Sequence, residues 1–346
     1  MKLGILGRVA AGLALATATF AAAPAQAQAV NLEAAFDRAL GTEVRAPVDF
    51  SARYDSPLAQ QIAALADGSQ GRIGVAAIDL VTGEEVSILG DQRFPMASTS
   101  KIAIAATYLE GVDQGRWSLT SEYPLLIPVP SKPFSSAVAP VRKGEYMSAL
   151  KLIDLMITRS SNPATDALLA AVGGPAAVND WARRAGIENF NLTRDIATLV
   201  RDDGEINPAQ RIDVRDSATP RDMVKMLAGL YRGEWLSPTS RHVIIDAMER
   251  CRTGVRRIPA QMPAGVKVAH KTGSLNNTSS DIGIITGPDG NAVAVAIYVT
   301  GQGTRLNREG RIATIARAIY DGYGQSRQYA TARYGAAGGG TAVAAN

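Results

Sequence analysis

Strand signals sit at the two ends of this chain and helix signals fill the span between them, so any single sheet must be assembled from segments far apart in sequence. Near the start, "RIGVAAIDL" and "EEVSILG" are joined by Thr82-Gly83 and predict a strand hairpin. Strand character returns only at "GVKVAHKTGSL", "SDIGIITG" and "AVAVAIYVT", the last two linked by the turn "PDGN". Between them "YMSALKLIDLMITR", "PATDALLAAVGG", "GPAAVNDWARRAG", "TPRDMVKMLAGLYRG" and "SPTSRHVIIDAMER" carry helical periodicity, the last two behind a hydroxyl cap and a proline. "SPLAQQIAALADG" predicts a helix capped by Ser56, and "RIATIARAIYDGY" a final one. The expectation is an α+β fold: a sheet with flanking helices built from both chain ends (about 55–97 and 258–323), plus an inserted all-helical lobe (about 98–257). A crevice between the lobes is the natural place for a site. From Gly324 onward the composition, ending "GAAGGGTAVAAN", predicts a disordered tail.

The 346 residues, 46% of them hydrophobic, are enough to bury one large core or two moderate ones. Residues 1–29, with Lys2 and Arg8 ahead of an alanine-rich apolar run and A-Q-A repeats, predict a secretory signal cleaved after Ala27 or Ala29. No later stretch reaches the ~18 apolar residues of a membrane span, and no cysteine follows the leader to take a lipid. A soluble, exported monomer, periplasmic after cleavage, is expected. Cys251 is the sole cysteine, so no intrachain disulfide can form. The formal charge of +4 falls by two with the leader, which gives no basis for a nucleic-acid partner. Two distant histidines and one cysteine give no metal spacing, so no metal or cofactor is expected.

The chemistry concentrates in "MASTSK". Two serines and a threonine precede Lys101, with neither a histidine nor a G-x-S-x-G elbow nearby to activate them. S-x-x-K occurs twice. Ser148…Lys151 opens the "ALKLIDLM" helix, where a serine is wanted as a cap. Ser98…Lys101 opens the buried "SKIAIAATYLEG" helix, where the macrodipole favours a nucleophile and the i to i+3 spacing brings the amine to the same face. A lysine serves as base only if its ordinary pKa of ~10.4 is pushed down by burial and a second cation. "RSSNPATD" places Ser160 and Asn162 in a break between helices, and "HKTGS" places Lys271, Thr272 and Gly273 on a strand, with Lys271 as that second cation. By alternation His270 points to the other face of the strand and receives no chemical role.

These elements, S-x-x-K, S-x-N and K-T-G in that order, resemble the serine penicillin-recognising enzymes, most closely the class A β-lactamases. "FPMASTSK", "GEYMSALKLIDLMITRSSNPATDALL", "RDSATPRDM" and "RTGVRRIPAQMPAGVKVAHKTG" extend the resemblance over roughly residues 55 to 323. The resemblance implies a β-lactamase/transpeptidase-like fold and roles for particular residues. Ser98 is the nucleophile, Lys101 its proton acceptor or relay, and Ser160 the proton donor to the leaving nitrogen. The backbone N–H groups of Ser98 and Ser274 form the oxyanion hole. Asn162, Lys271, Thr272, Gly273 and Ser274 line the substrate site, with Arg257 standing in for the arginine missing from "SSDIGII".

Two departures stand out. Ser161 replaces the aspartate of S-D-N and is expected to support the loop. The family's water-activating glutamate, in E-x-x-L-N, has no obvious counterpart. Counting back from "RDSATP" without gaps puts Asp203 in its place and Asn207 in that of the asparagine. A longer loop, suggested by Arg194-Asp195, leaves Asp203 and Glu205 as solvated carboxylates. The expected activity is β-lactam hydrolysis through a Ser98 acyl-enzyme. A D,D-peptidase acting on cell-wall peptides, or a binder that acylates without turnover, are the alternatives.

Overall fold

The computed structural model describes residues 56–337, with side chains to residue 328. The leader, the stretch up to residue 55 and residues 338–346 lie outside the described residues. Helix α1 (Pro57–Leu65) is capped by Ser56, whose hydroxyl accepts from Ala59 N at 3.1 Å. It is followed by β1 (Ile73–Asp79), β2 (Glu85–Ile88) and the short β3 (Phe94–Pro95). A 3-10 turn (Ala97–Ser100) runs straight into α2 (Lys101–Asp113). The inserted lobe contains β4 (Glu122–Pro128), β5 (Val141–Ser148), α3 (Ala149–Thr158), α4 (Asn162–Val172), α5 (Pro175–Arg184), α6 (Ile196–Arg201), β6 (Ser217–Ala218), α7 (Pro220–Arg232) and α8 (Pro238–Glu249). The chain returns through β7 (Lys267–Leu275), β8 (Thr278–Thr286) and β9 (Ala292–Thr300) to α9 (Arg305–Ala337).

The main sheet is antiparallel, in the order β2-β1-β9-β8-β7, and so draws on both chain ends as expected. Its central strand shows why. "AVAVAIYVT" is apolar at every position and alternates in size, so β9 buries both faces. Ala292, Ala294, Ala296 and Tyr298 face the helical lobe; Val293, Val295, Ile297 and Val299 pack against α1 and α9. The small residues on the first face let the inserted lobe approach closely. Helix α2, apolar on all sides, is its axis, buried from Lys101 to Leu109.

The inserted lobe is not wholly helical. β4 and β5 form a two-stranded hairpin, and β3 pairs with β6. Tyr146 to Ser148, read from sequence as the start of a helix, are strand residues, and the helix begins at Ala149 behind the Ser148 cap. The helix α9 also runs past Gly324, where the composition suggested a disordered tail. Two contacts hold it there: Tyr323 OH donates to Ala77 O at 3.1 Å, and Arg327 Nη1 donates to Asp79 Oδ2 at 2.8 Å. These anchors outweigh the local composition.

Candidate active site

Of the three hydroxyls in "MASTSK", two are spoken for. Thr99 donates to Met96 O at 2.7 Å and Ser100 to Ala97 O at 2.9 Å. Both are fully buried, whereas Ser98 is partly exposed and lines a cavity, and its hydroxyl makes no hydrogen bond among the described residues. Ala97, just ahead of it, sits in the left-handed region at φ 48°, a strained conformation of the kind that clusters at functional sites. The second S-x-x-K is structural: Ser148 Oγ accepts from Lys151 N at 3.3 Å and caps α3.

Lys101 is fully buried at the start of α2. Its Nζ donates to Ser160 O at 2.9 Å and Asn162 Oδ1 at 2.7 Å, and lies 3.2 Å from Ser160 Oγ. Asn162 is available for this because Ser161, not Asn162, caps α4, accepting from Ala164 N at 3.4 Å. Ser160 also holds a left-handed φ of 57°, and both its carbonyl and its hydroxyl reach Lys101. Burial, with Lys271 beside it, pushes Lys101 well below the ordinary lysine range, against the pull of Asp166. A neutral amine has two N–H bonds and one lone pair. The N–H bonds are satisfied by Ser160 O and Asn162 Oδ1, which leaves the lone pair for a hydroxyl proton.

Lys271 is the second cation. Its Nζ donates to Ser160 Oγ at 3.0 Å and to Thr272 O at 2.9 Å. Burial lowers it to about 8, with Cys251 and Asp281 acting to raise it and Arg257 to lower it. Gly273 lets β7 lie against the segment leading into Ser98: a Cβ there would fall 2.8 Å from Met96 O and 2.4 Å from Ser280 Oγ. Arg257 is buried beneath β7 and β8. Its Nη1 donates to Gly273 O at 2.8 Å and Ser280 O at 2.7 Å, its Nη2 donates to Ser274 Oγ at 2.6 Å, and Glu309 balances its charge at 3.1 Å.

One cavity is lined by Ser98, Ser160, Asn162, Thr272, Ser274 and Arg257, together with Thr253, Gly254 and Arg305. The last three were missed from sequence. Thr253 and Gly254 stand in the quoted "RTG", and a Cβ at Gly254, φ +71°, would meet Thr272 Cγ2 at 2.3 Å, so that turn is built to lie on the strand. Arg305 opens α9 with no motif to mark it.

Asp203 and Asn207 are not brought to this cavity. Asp203 Oδ2 accepts from Asn276 N at 2.8 Å, and burial raises its pKa. Asn207 Oδ1 accepts from Asn277 Nδ2 at 2.9 Å. Both hold the β7–β8 turn, while Glu205 pairs with Arg215 at 2.9 Å. The loop is closed instead by Arg194 and Asp216, 2.6 Å apart, and Asp195 caps α6 by accepting from Thr198 N at 2.7 Å. Ile196, the first residue of α6, shares a second, apolar cavity with Asn162, Ala197 and Val200. Beneath it lies Asp166, a buried carboxylate the sequence reading missed, which accepts from Ile196 N at 2.7 Å and Ala197 N at 2.9 Å. Burial raises its pKa to about 6 against those two donors. Among the described residues no cluster of three or more His, Cys, Asp or Glu could hold a metal ion. No described helix is long and apolar enough to cross a membrane.

Residues 57–323 match the beta-lactamase enzyme family. The chain is 33% identical over 274 residues to beta-lactamase Toho-2 of Escherichia coli, covering 77% of this chain and 89% of that protein. It is 30% identical over 285 residues to the extended-spectrum beta-lactamase PER-1 of Pseudomonas aeruginosa, covering 78% and 89%. Among solved structures, an ancestral (GNCA) class A beta-lactamase superposes with a TM-score of 0.66 at 35% identity, covering 77% of this chain and 99% of that one. A beta-lactamase from Chitinophaga pinensis superposes with a TM-score of 0.68 at 26% identity, covering 78% and 100%. With its family match, its fold and its relatives in agreement, the chain belongs to the class A serine β-lactamases, which are hydrolases.

Proposed function

We propose that the protein, exported by its leader, hydrolyses β-lactams through an acyl-enzyme on Ser98. The observation that carries this reading is that Lys101 and Lys271 both reach Ser160 Oγ beside a Ser98 hydroxyl with no other bond to break. Neutral Lys101 takes the Ser98 proton as Oγ bonds the lactam carbonyl carbon. The C–N bond then breaks and the nitrogen takes the Ser160 proton, which Lys101 restores. Ser98 N and Ser274 N stabilise the oxyanion, each such donor being worth ~3 kcal/mol in a transition state. Lys271, Thr272 and Ser274 receive the substrate carboxylate, while Arg257, its five N–H donors already taken by Gly273, Ser280, Ser274 and Glu309, supports them by holding Ser274 Oγ. Water then cleaves the ester and frees Ser98.

A second reading is favoured by one observation: no carboxylate lines the Ser98 cavity among the described residues. Asp203 is engaged with Asn276, and an isoleucine adjoins Asn162. Deacylation is then the slow step, and in the limit the protein acylates without turnover, as a cell-wall peptidase-like binder would. Steady-state release of ring-opened penicillin by the protein and by Ser98→Ala tests the first reading. Sustained release that needs Ser98 supports it; release limited to one equivalent supports the second; no reaction overturns both.

A further inference from the structure

Thr253 and Thr272 are the cavity-lining end of a line of polar groups whose other members stay outside the cavity. His270 and Thr272 share a face of β7, and Asp281 of β8 pairs directly with Thr272 on that face. His270 Nδ1 lies 2.9 Å from Asp281 Oδ2, and both residues are buried. The turn after α8 lays two more groups on this face. Thr253 Oγ1 is 2.7 Å from Thr272 Oγ1, and Cys251 Sγ is 3.3 Å from Thr253 Oγ1 and beside His270. Cys251, His270 and Asp281 do not line the cavity, so they act on a substrate only through Thr253 and Thr272.

Each hydroxyl in this line has one proton. Thr272 can aim its proton at a substrate carboxylate only if the Thr253 proton bridges the 2.7 Å contact between them. Thr253 Oγ1 is then left to accept from Cys251, which can donate only as a thiol. A thiolate reverses the order. Thr253 donates to sulfur, Thr272 donates to Thr253, and Thr272 meets the carboxylate with lone pairs alone.

We propose that Cys251 is a positioning residue for the substrate-carboxylate subsite, setting through Thr253 the direction in which the Thr272 hydroxyl donates. This rests on the reading of Thr272 as a carboxylate-binding group. Burial alone would raise the Cys251 thiol, but His270 and the Thr253 contacts bring it down to about 7. Burial would lower His270, but Asp281, then Cys251, raise it to about 10, so it stays charged while the thiol titrates. Asp281 also accepts from Ile258 N at 3.2 Å. From the other side, Lys271 is faced by Cys251, Asp281 and Arg257 and by the Lys101 amine, and it titrates separately near 8.

The test is KM and kcat for a penicillin between pH 5.5 and 9 in the wild type, Cys251→Ser and Thr253→Val, with the Ser98 adduct followed by mass in each. The wild-type KM should rise about 10-fold through pH 7, the cost of one hydrogen bond to a charged group, with kcat nearly unchanged. In Cys251→Ser, whose hydroxyl donates throughout, that step should vanish and only the Lys271 rise remain. In Thr253→Val, where no acceptor competes for the Thr272 proton, the step through pH 7 should vanish as well. Superimposable KM profiles for the wild type and Cys251→Ser would overturn the proposal. A second readout does not need the β-lactam reading to hold. In Thr253→Val the pH midpoint for alkylation of Cys251 by iodoacetamide should move up, because the thiolate loses a donor. An unmoved midpoint overturns the coupling, whereas absence of a wild-type Ser98 adduct overturns only the functional reading.

Discussion

Lys101 and Lys271 bring their amines to one oxygen, Ser160 Oγ, at 3.2 and 3.0 Å. Two ammonium groups that close, both fully buried, repel each other in a medium that screens poorly. The free energy of that repulsion is relieved when one loses its proton. Lys101, which burial and Lys271 both push down, is the amine the proposed mechanism uses as the base.

Replacing Lys101 with alanine removes the proton acceptor while leaving Ser98 in place. Acylation should slow by about 10³-fold, within the usual range for a general base. Single-turnover kinetics with a penicillin would measure it, and a loss under tenfold would assign the proton to another group.

Lys271 sets a pH limit on binding. Its folded pKa is lowered to about 8, so it is charged below that value and neutral above it. KM for a carboxylate-bearing substrate should therefore rise as pH passes upward through about 8. In Lys271→Ala, KM should be raised about 10- to 100-fold at pH 7 and be flat across that interval, the loss expected for a charged hydrogen bond.

Asp203 bonds Asn276 N and stands apart from the cavity. Asp203→Asn should leave the decay rate of the acyl-enzyme within about twofold of the wild type, because the group that accepts from Asn276 is retained. Time-resolved mass spectrometry of the adduct reads this directly. A tenfold slowing would make Asp203 the base after all and require the loop to move.

Gly273→Ala would place a methyl 2.8 Å from Met96 O and 2.4 Å from Ser280 Oγ. Overpacking of this kind costs about 1–3 kcal/mol, and in a domain this size each kcal/mol lowers Tm by roughly 2–4 °C. Calorimetry checks the stability. Acylation should fall as well, because the backbone that yields is the one leading into Ser98.

The residues that could be read from sequence are those whose type is tied to a local spacing. Ser98 and Lys101 lie one helical turn apart, Ser160 and Asn162 share a helix break, and Lys271 to Ser274 are consecutive on a strand. The antiparallel sheet was legible because "AVAVAIYVT" can be buried on both faces. The β4–β5 hairpin was not: its residues are half-buried or exposed, so neither strand has the strict alternation that one core face imposes. Arg305 and Thr253 reach the cavity through tertiary placement alone. Asp203, reached by a count without gaps, lies outside the Ser98 cavity, and the contact that closes the loop is Arg194 with Asp216. His270, given no chemical role, is buried against Asp281 as alternation on the strand implied, and only the fold shows Cys251 next to it.

Ser98 is the residue proposed to be acylated. The most direct test is an intact-mass time course of the mature protein with a penicillin, followed by peptide mapping, with Ser98→Ala alongside. A one-equivalent adduct should form on the peptide bearing Ser98, be absent from the variant, and decay more slowly than it forms. An adduct that persists in Ser98→Ala, or that maps to Ser160 or Cys251, would contradict that assignment.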